Sequence, residues 1–474
     1  MTRCSRRAMM TAAALLPVAM TGADDAGHAD GPASERYFPR HGSLAHRTLA
    51  YDLRLSYAPG SGHLRGWARI RAVATADSER VTLDLSRLAV FNAHVDSEPV
   101  RTRQRRGKLF LTPAHRLPAG AEFTVDVRYG GRPGPLHTPF GAIGWDRTGD
   151  RHRGTLVASQ PLGAPSWFPC NDRPDDKAAY TFRITVPRGH QVLANGTLAA
   201  HHRQERAETW TYHHPAPMSS YLAALYTGRF RHDHSSQPTG SGPPVALHNA
   251  YPQRLTDAAR HDLARQPAIL RTFAARFGPY PFDAYGAVVV DAELAAPVEN
   301  QTRSVFGSNH IDGQRGAETL VAHELAHQWY GNSVGVSDWR HIWLNEGFAT
   351  YAEWLWSEHI GEYGADAIAR REWQSLSRLD QDLRLAEPGP LRIFDDQVYV
   401  RGACTLHALR LTLDDDARFF ALLRGWHDAH RGGSCDTKTF LAHAEAVADR
   451  PVRPLLCRWL YETRLPPLPP RPSH

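Results

Sequence analysis

The stretch Val321-Ala322-His323-Glu324-Leu325-Ala326-His327-Gln328-Trp329-Tyr330 decides how the rest of the sequence is interpreted. It contains two histidines four residues apart, with a glutamate directly after the first. This spacing places His323 and His327 on the same face of an α-helix, where both imidazoles can bind one Zn²⁺. Glu324 then lies at the edge of that face, where its carboxylate can take a proton from water beside the metal.

The surrounding residues predict both a helix and a third ligand. Residues 317–330 contain no Pro or Gly, and Gly331-Asn332 follows as a stop signal, so we expect a helix over 317–330. Eighteen residues separate His327 from Glu346, which we expect on a following helix. Two histidines and one glutamate leave a fourth position open, as in a catalytic zinc site. We therefore predict one Zn²⁺ per chain.

The composition bounds the class of protein. The chain has 474 residues, with 42% hydrophobic and 22% charged side chains, which is typical of a soluble globular protein of two or three domains. The formal net charge of +6 comes almost entirely from arginine, since only Lys108, Lys177 and Lys438 are lysines. No basic stripe with interleaved aromatic residues is present, so we expect no nucleic-acid partner.

The first residues predict export. Arg3, Arg6 and Arg7 precede an apolar run over residues 12–20, and small residues follow. The run is too short to span a bilayer, so we expect residues 1–29 to be a signal peptide and the mature protein to lack a stable membrane span. The mature protein would then be a secreted bacterial protein. A disordered tail is the alternative, and the choice between general and twin-arginine export stays open.

Four cysteines lie beyond the signal segment. They are Cys170, Cys404, Cys435 and Cys457. An oxidising compartment permits one bridge among the last three, but their spacing does not identify the pair, and none has metal-ligand spacing.

Hydrophobic periodicity divides the chain into two kinds of structure. Period-two alternation predicts half-buried antiparallel strands, in a sandwich or saddle, over residues 51–57, 68–73, 81–85, 123–127 and 180–186. Residues 235–244 are rich in Ser, Gly and Pro and indicate a linker or exposed loop. Beyond them a strand is expected over 287–291, and helical patterns cover 256–277, 401–410, 418–429 and 437–447. We predict an N-terminal β domain over 30–240, a mainly helical catalytic domain over 241–466 and a Pro-rich tail over 467–474, an α+β multidomain fold.

Two further segments carry a family resemblance. Ala296-Pro297-Val298-Glu299-Asn300 resembles the G-x-M-E-N segment of the aminopeptidase N and leukotriene-hydrolase family of zinc metallopeptidases (gluzincins), and residues 167–177 resemble its W-F-P-C-x-D-x-P element. The resemblance implies that Glu299 binds the free α-ammonium of a peptide. Gln160 matches the position from which the N-terminal domain of that family reaches the active site, which implies a second substrate contact. Ala296 and Val298 replace the glycine and the methionine of the family segment, and we expect these replacements to affect the rate of hydrolysis and the substrate preference.

The same resemblance extends to Tyr399, which matches the tyrosine of a Y-x-K/R-G element after the third ligand. It implies a phenol hydroxyl that stabilises the oxyanion of the transition state. Glu353 lies seven residues after Glu346, two turns along the same helix face, and we expect it to support a ligand histidine. Alternatively, Tyr399 is a buried structural residue and Glu353 lies on a solvated helix face.

The resemblance covers residues from about Tyr37 to about Pro466 and implies an N-terminal β saddle over a thermolysin-like catalytic domain, without the large C-terminal helical domain of many relatives. We therefore expect a monomeric zinc aminopeptidase that hydrolyses the N-terminal bond of peptides with a free N-terminus. A thermolysin-like endopeptidase, an epoxide-hydrolysing side activity and a non-catalytic binding module on the same fold are the alternatives. The preferred N-terminal residue and the physiological peptide do not follow from the sequence.

Overall fold

The computed structural model describes residues 35–148, 154–240 and 242–470. The predicted signal peptide, residues 1–29, lies outside the described residues, as do residues 471–474 of the predicted Pro-rich tail.

The N-terminal half consists of strands. Their bounds are β1 His46–Ala58, β2 His63–Ala74, β3 Val81–Asp84, β4 Ala89–Val95, β5 Glu98–Pro99, β6 Arg101–Arg105, β7 Lys108–Thr112, β8 Glu122–Gly131, β9 Leu136–Thr138, β10 Gly141–Thr148, β11 Gly154–Ala158, β12 Lys177–Pro187, β13 Gln191–Ala194, β14 Thr197–Arg203, β15 Ala207–Ser219 and β16 Leu225–Gly228.

An eight-stranded sheet forms the frame of this half, in the order β14-β15-β12-β1-β2-β8-β4-β5. Alternate residues of β1 are buried, as its period-two sequence predicts. The prediction of purely antiparallel strands is wrong at one place, because β1 pairs with β12 in parallel, with Tyr51 opposite Tyr180. The two strands are separated by ten others in the chain, so no tight turn constrains their relative direction.

A five-stranded sheet, β13-β16-β11-β10-β9, packs against this frame, and a three-stranded sheet, β3-β7-β6, lies beside them. Aromatic rings fill the space between the first two sheets: Tyr57 of β1 meets Trp145 of β10 with ring centroids 4.9 Å apart, and Trp145 meets Trp167 at 6.3 Å. These side chains are buried, so the two sheets share one hydrophobic core.

The C-terminal half is mainly helical and carries a second small sheet. Its strands are β17 Arg231–Gln237, β18 Val245–Tyr251, β19 Ala284–Tyr285, β20 Ala287–Val289, β21 Ser304–Phe306, β22 Gly335–Val336 and β23 Ser434–Cys435. Its α-helices are α1 Thr256–Asp262, α2 Gln266–Phe277, α3 Glu318–Ala326, α4 Trp343–His359, α5 Ala365–Leu376, α6 Asp396–Leu413, α7 Asp416–His430, α8 Thr437–Val447 and α9 Arg453–Tyr461. Together the two halves give the predicted α+β fold.

The Ser/Gly/Pro-rich segment lies in a hairpin, with residues 235–237 in the first strand and residues 238–240 and 242–244 between the two strands. Strands β17 and β18 pair across it in antiparallel register, from Arg231 opposite Tyr251 to Gln237 opposite Val245. The predicted division between residues 240 and 241 falls between these two strands, which belong to one sheet.

Two helix predictions are corrected by the structure. The pattern over 256–277 forms two helices instead of one, because Pro267 is accommodated in the first turn of α2 and cannot continue α1. The zinc-motif helix ends at Ala326 instead of Tyr330. Its end is closed by hydrogen bonds from the Asn332 amide to the His327 carbonyl and by Gly331, whose φ of +126° favours glycine.

None of the helices in the part of the chain that the structure describes is both long and apolar enough to cross a membrane. The four cysteines within the described ranges, Cys170, Cys404, Cys435 and Cys457, form no disulfide.

Candidate active site

The two histidines of the motif face each other inside the protein. His323 lies on α3, and His327 directly follows its last residue with a helical φ of −55°, so both side chains share one face. Their Nε2 atoms are 3.0 Å apart and both residues are buried. The Nδ1 atom of His323 lies 2.6 Å from the Glu353 carboxylate, and that of His327 lies 3.0 Å from the Tyr330 carbonyl. Since those acceptors need a proton on each Nδ1, both Nε2 atoms present lone pairs.

Glu346 completes the constellation from the first turn of α4. Its Oε2 lies 3.4 Å from the Nε2 atoms of both His323 and His327, and the three ligand atoms all lie within 4.8 Å of one another. Two lone pairs and a carboxylate oxygen that converge on one buried point need a cation between them. The donor set of two imidazoles and one carboxylate fits Zn²⁺, as the sequence predicts.

The electrostatic field at this point also favours positive charge. Burial acts to lower the pKa of the His327 imidazole, but the carboxylates of Glu346, Glu299 and Glu324 outweigh burial and raise it to about 9. Three carboxylates around one imidazole therefore prepare the site for a cation.

Glu324 lies beside the ligands. It is fully buried on α3, and its carboxylate belongs to a second group, with Glu299 and His327, whose ligand atoms lie within 4.8 Å of one another. Its place next to a metal ligand is that of a proton acceptor.

Glu299 reaches the same point from the loop before β21. Its side chain is buried, and the Gln160 Nε2 atom donates a 2.7 Å hydrogen bond to its Oε1. The structure thus brings together two residues that lie in different halves of the chain. Burial, aided by the Glu346 and Glu324 carboxylates, raises the pKa of Glu299 to about 7. A cationic partner beside this buried carboxyl group would stabilise its charged form.

The backbone around Glu299 is held by residues that the sequence analysis did not identify. The Asn332 Nδ2 atom donates a 2.6 Å hydrogen bond to the Glu299 carbonyl, and Gln328 Nε2 donates to the same oxygen at 3.3 Å. Gln328 Oε1 also accepts from the amide of Thr302, a β-branched residue with a φ of +64°. Such a conformation persists only where neighbours hold it. The available signal was their position, since Gln328 directly follows His327 and Asn332 lies five residues after it.

Tyr399 and Glu353 lie against His323. The Tyr399 ring, on α6, is 7% exposed and faces the His323 ring, with centroids 6.1 Å apart and planes inclined by 25°. Glu353, on α4, makes the contact to the Nδ1 atom of His323 described above, as expected from its spacing to Glu346. Helix α6 is anchored by Arg401, whose buried guanidinium donates to backbone carbonyls of the C-terminal segment.

A separate groove of about 850 Å³ crosses the eight-stranded sheet of the N-terminal half. It is lined by arginines that stack on Trp67, with Arg54 at 4.3 Å and Arg69 at 5.0 Å from the ring centroid. None of the predicted site residues lines it, so the chemistry belongs to the buried cluster on α3 and α4.

Comparison with known proteins gives two family matches. A model described as "Peptidase M1 N-terminal domain" matches residues 47–222, and one described as "Peptidase family M1 domain" matches residues 262–459. The two matches cover the strand-rich and the helical half respectively.

Curated relatives are longer than this chain. Aminopeptidase M1 of Arabidopsis thaliana is 25% identical over 455 residues, which is 88% of this chain and 50% of that protein. Aminopeptidase N of Oryctolagus cuniculus is 27% identical over 331 residues, which is 64% of this chain and 34% of that protein. The chain thus spans about half the length of the plant relative.

Solved structures match over nearly their whole length. The M1 zinc metallopeptidase of Deinococcus radiodurans superposes with a TM-score of 0.82 at 28% identity, covering 93% of this chain and 99% of that one. A mutant of the same enzyme bound to a Tyr-Ser-Ala substrate superposes with a TM-score of 0.85 at 28% identity, with 92% and 99% coverage.

Proposed function

Because the chain belongs to peptidase family M1, we propose that it is a zinc-dependent aminopeptidase that hydrolyses the N-terminal peptide bond of peptides. One observation carries this proposal: the buried Glu299 carboxylate lies within 4.8 Å of the ligand atoms of Glu324 and His327. A fixed anionic group directly beside the hydrolytic residues binds an ammonium there, so that cleavage occurs next to a free N-terminus.

The metal residues and the proton carrier have separate tasks. His323, His327 and Glu346 would hold Zn²⁺, which supplies Lewis acidity and lowers the pKa of water when bound. Glu324 accepts the proton of the attacking water on its carboxylate and returns it to the leaving amine. Glu353 holds the proton on Nδ1 of His323 and so keeps the ring in the tautomer that binds metal.

The substrate is oriented from two sides. Glu299 accepts hydrogen bonds from the α-ammonium, and Gln160 fixes the orientation of that carboxylate through its 2.7 Å bond to Oε1. The Gln160 amide oxygen can accept a further hydrogen bond from the ammonium. The Tyr399 hydroxyl donates a hydrogen bond to the carbonyl oxygen of the scissile bond, where negative charge develops in the transition state.

The test compares one tripeptide in its free and its N-acetylated form. We expect the free peptide to be cleaved at least about a hundredfold faster in kcat/KM, because only it provides an ammonium for Glu299. Glu299→Gln should reduce this preference, whereas Glu293→Gln, a change at an exposed glutamate nearby, should leave it intact. Equal or faster cleavage of the acetylated peptide would instead identify a thermolysin-like endopeptidase.

Glu324→Gln tests the hydrolytic step itself. We expect kcat to fall by at least about 10²–10⁴, since the proton acceptor is lost, while the metal ligands stay in place. Metal content by atomic absorption should match that of the unchanged protein. A Glu324→Gln protein that binds zinc and cleaves at the normal rate would eliminate the mechanism, and a protein that binds no zinc in either form would favour a non-catalytic module.

We also propose that the protein is exported and acts as a monomer on extracellular peptides. Arg3, Arg6 and Arg7 before an apolar run support export. Expression with a C-terminal tag should deliver processed protein to the medium, and retention of unprocessed protein in the cell would count against export. Light scattering of the purified protein should give the mass of one chain.

A further inference from the structure

Three histidines outside the active site bring their ring nitrogens together on the hairpin β17–β18. His232 and His234 are two residues apart on β17, so their side chains lie on the same face of the sheet. His248 stands directly opposite His234 on β18. One ring nitrogen of each of the three lies within 4.8 Å of the others.

The contacts within this histidine cluster are close. The His232 Nδ1 atom lies 2.8 Å from the His248 Nε2 atom. The His234 ring stacks on the His248 ring, with centroids 3.9 Å apart and planes inclined by 23°. A metal ion about 2.0–2.1 Å from each nitrogen would require the His234 ring to rotate out of its stack on His248, which its exposed position on the strand allows.

We propose that His232, His234 and His248 form a second metal site, which binds a divalent transition metal such as Zn²⁺, Cu²⁺ or Ni²⁺. Three imidazoles are donors that these ions prefer, and the half-exposed edge of the hairpin leaves a path for the ion and for a water ligand. The two nitrogens at 2.8 Å then share a metal ion instead of a proton.

The nitrogen donors of the cluster select against hard cations. Arg303 donates a 3.0 Å hydrogen bond from Nη1 to the His248 carbonyl, so its guanidinium is held by the backbone. Asp233, the neighbouring acid on β17, is engaged by Arg260 and Tyr251. Mg²⁺ and Ca²⁺ require oxygen ligands, which these histidines do not supply, so we expect selection for ions that bind imidazole.

The cluster is connected to the substrate anchor. Arg303 also donates from Nε to the carbonyl of Ala194 at 3.1 Å and lies four residues after Glu299. A metal ion on the histidines would join β17 to β18 beside this arginine, and should raise the stability of the junction between the two halves of the chain.

The test measures metal stoichiometry on the full mature chain. After equilibrium dialysis against Zn²⁺, atomic absorption should give about two ions for the unchanged protein and about one for the double variant His232→Gln, His234→Ala. His202→Ala, a change at an exposed strand histidine, should retain about two. Glu346→Gln should weaken zinc binding at the active site and leave zinc binding at the histidine cluster unchanged. This result would distinguish the two sites.

Cu²⁺ electron paramagnetic resonance provides a readout that does not depend on activity or on zinc. With the active site already filled by zinc, the spectrum of added Cu²⁺ should show coupling to nitrogen ligands. His234→Ala should weaken that signal and raise the apparent Kd for Cu²⁺ at least about tenfold. His234 is exposed, so this variant should fold normally. One zinc ion in the unchanged protein, or copper binding unaffected by either variant, would overturn the proposal and leave the cluster as a hydrogen-bonded imidazole pair.

Discussion

Protons on the far ring nitrogens determine which atoms of His323 and His327 can bind metal. The Glu353 carboxylate and the Tyr330 carbonyl each accept from an Nδ1 atom, which directs both Nε2 lone pairs toward Glu346. Each acceptor lies within a few residues or two helical turns of the ligands. The orientation of the site is therefore built largely from local geometry, and for this reason spacing alone could predict Glu353.

Tyr399→Phe tests whether the phenol acts on the transition state. The ring stacks beside His323, so the phenylalanine ring should keep the packing and the metal. We expect kcat to fall by about 10²–10³ with little change in KM, since the lost hydrogen bond strengthens only as negative charge develops. The measurement is steady-state hydrolysis of an aminoacyl anilide, together with zinc content.

A rise in KM at unchanged kcat would show instead that Tyr399 contributes to ground-state binding. Tyr363→Phe, at an exposed tyrosine, is the matched control and should leave both constants unchanged.

Helices α4 and α6 carry the third ligand and the tyrosine, and they cross where two glycines meet. A Cβ atom on Gly347 would lie 2.8 Å from the Gly402 Cα atom, and one on Gly402 would lie 2.7 Å from the Gly347 Cα atom. Only backbones without side chains can approach so closely. This crossing sets the distance between Glu346 and Tyr399, which lie one and three residues from the two glycines.

Gly402→Ala should therefore force the two helices apart. We expect a loss of about 1–3 kcal/mol in the free energy of unfolding and a larger fall in kcat than in zinc affinity, because Tyr399 moves with α6. Denaturant unfolding and hydrolysis of the same anilide measure the two effects. Gly364→Ala, at a glycine with open space around its Cβ position, should change neither. An unchanged kcat in Gly402→Ala would mean that the position of α6 does not control the reaction.

The two halves of the whole molecule meet around the substrate anchor. Asn195 of the N-terminal half donates to the Gln301 carbonyl at 2.6 Å, and the Gly196 amide donates to Thr302 Oγ1 at 2.8 Å. Lys177 extends from β12 into the catalytic half, where its ammonium donates to three carbonyls, those of Asn332, Ser333 and Gly433. The catalytic half alone would therefore lack much of the support for its substrate-binding loop.

One contact between the halves should make the molecule sensitive to acid. Gln301 Nε2 donates a 2.8 Å hydrogen bond to His214 Nε2, which must therefore be unprotonated. Burial lowers the pKa of His214 from 6.5 to about 4. The folded state thus binds fewer protons than the unfolded state between these values, so this contribution is complete above pH 6.5 and is lost as the pH falls to 4.

We expect this contribution to be about 3 kcal/mol, and His214→Gln should remove it. Urea unfolding at pH 7 and pH 4.5 should show a smaller acid-induced loss of stability in the variant than in the unchanged protein. His202→Gln serves as the exposed control. The same acid-induced loss in all three proteins would assign the sensitivity to other groups.

Periodicity along the chain determined much of this protein. The four-residue spacing of His323 and His327, and the seven-residue spacing of Glu346 and Glu353, are helical repeats, and period-two alternation located strands such as β1 and β12. These are local properties, because a helix or a strand orients its own side chains. Local signals were weakest at element ends, where Pro267 split one predicted helix and Gly331 closed another early.

Only the tertiary structure decided which distant segments meet. The parallel pairing of β1 with β12, the bond between Gln160 and Glu299, and the place of His248 beside His232 and His234 all join residues far apart in the chain or across a hairpin. Such contacts depend on strand register and on the packing of two domains, which no repeat in the sequence encodes. The zinc ligands could be found by spacing, but the anchor that determines which end of a peptide is cleaved is assembled only when the two halves pack together.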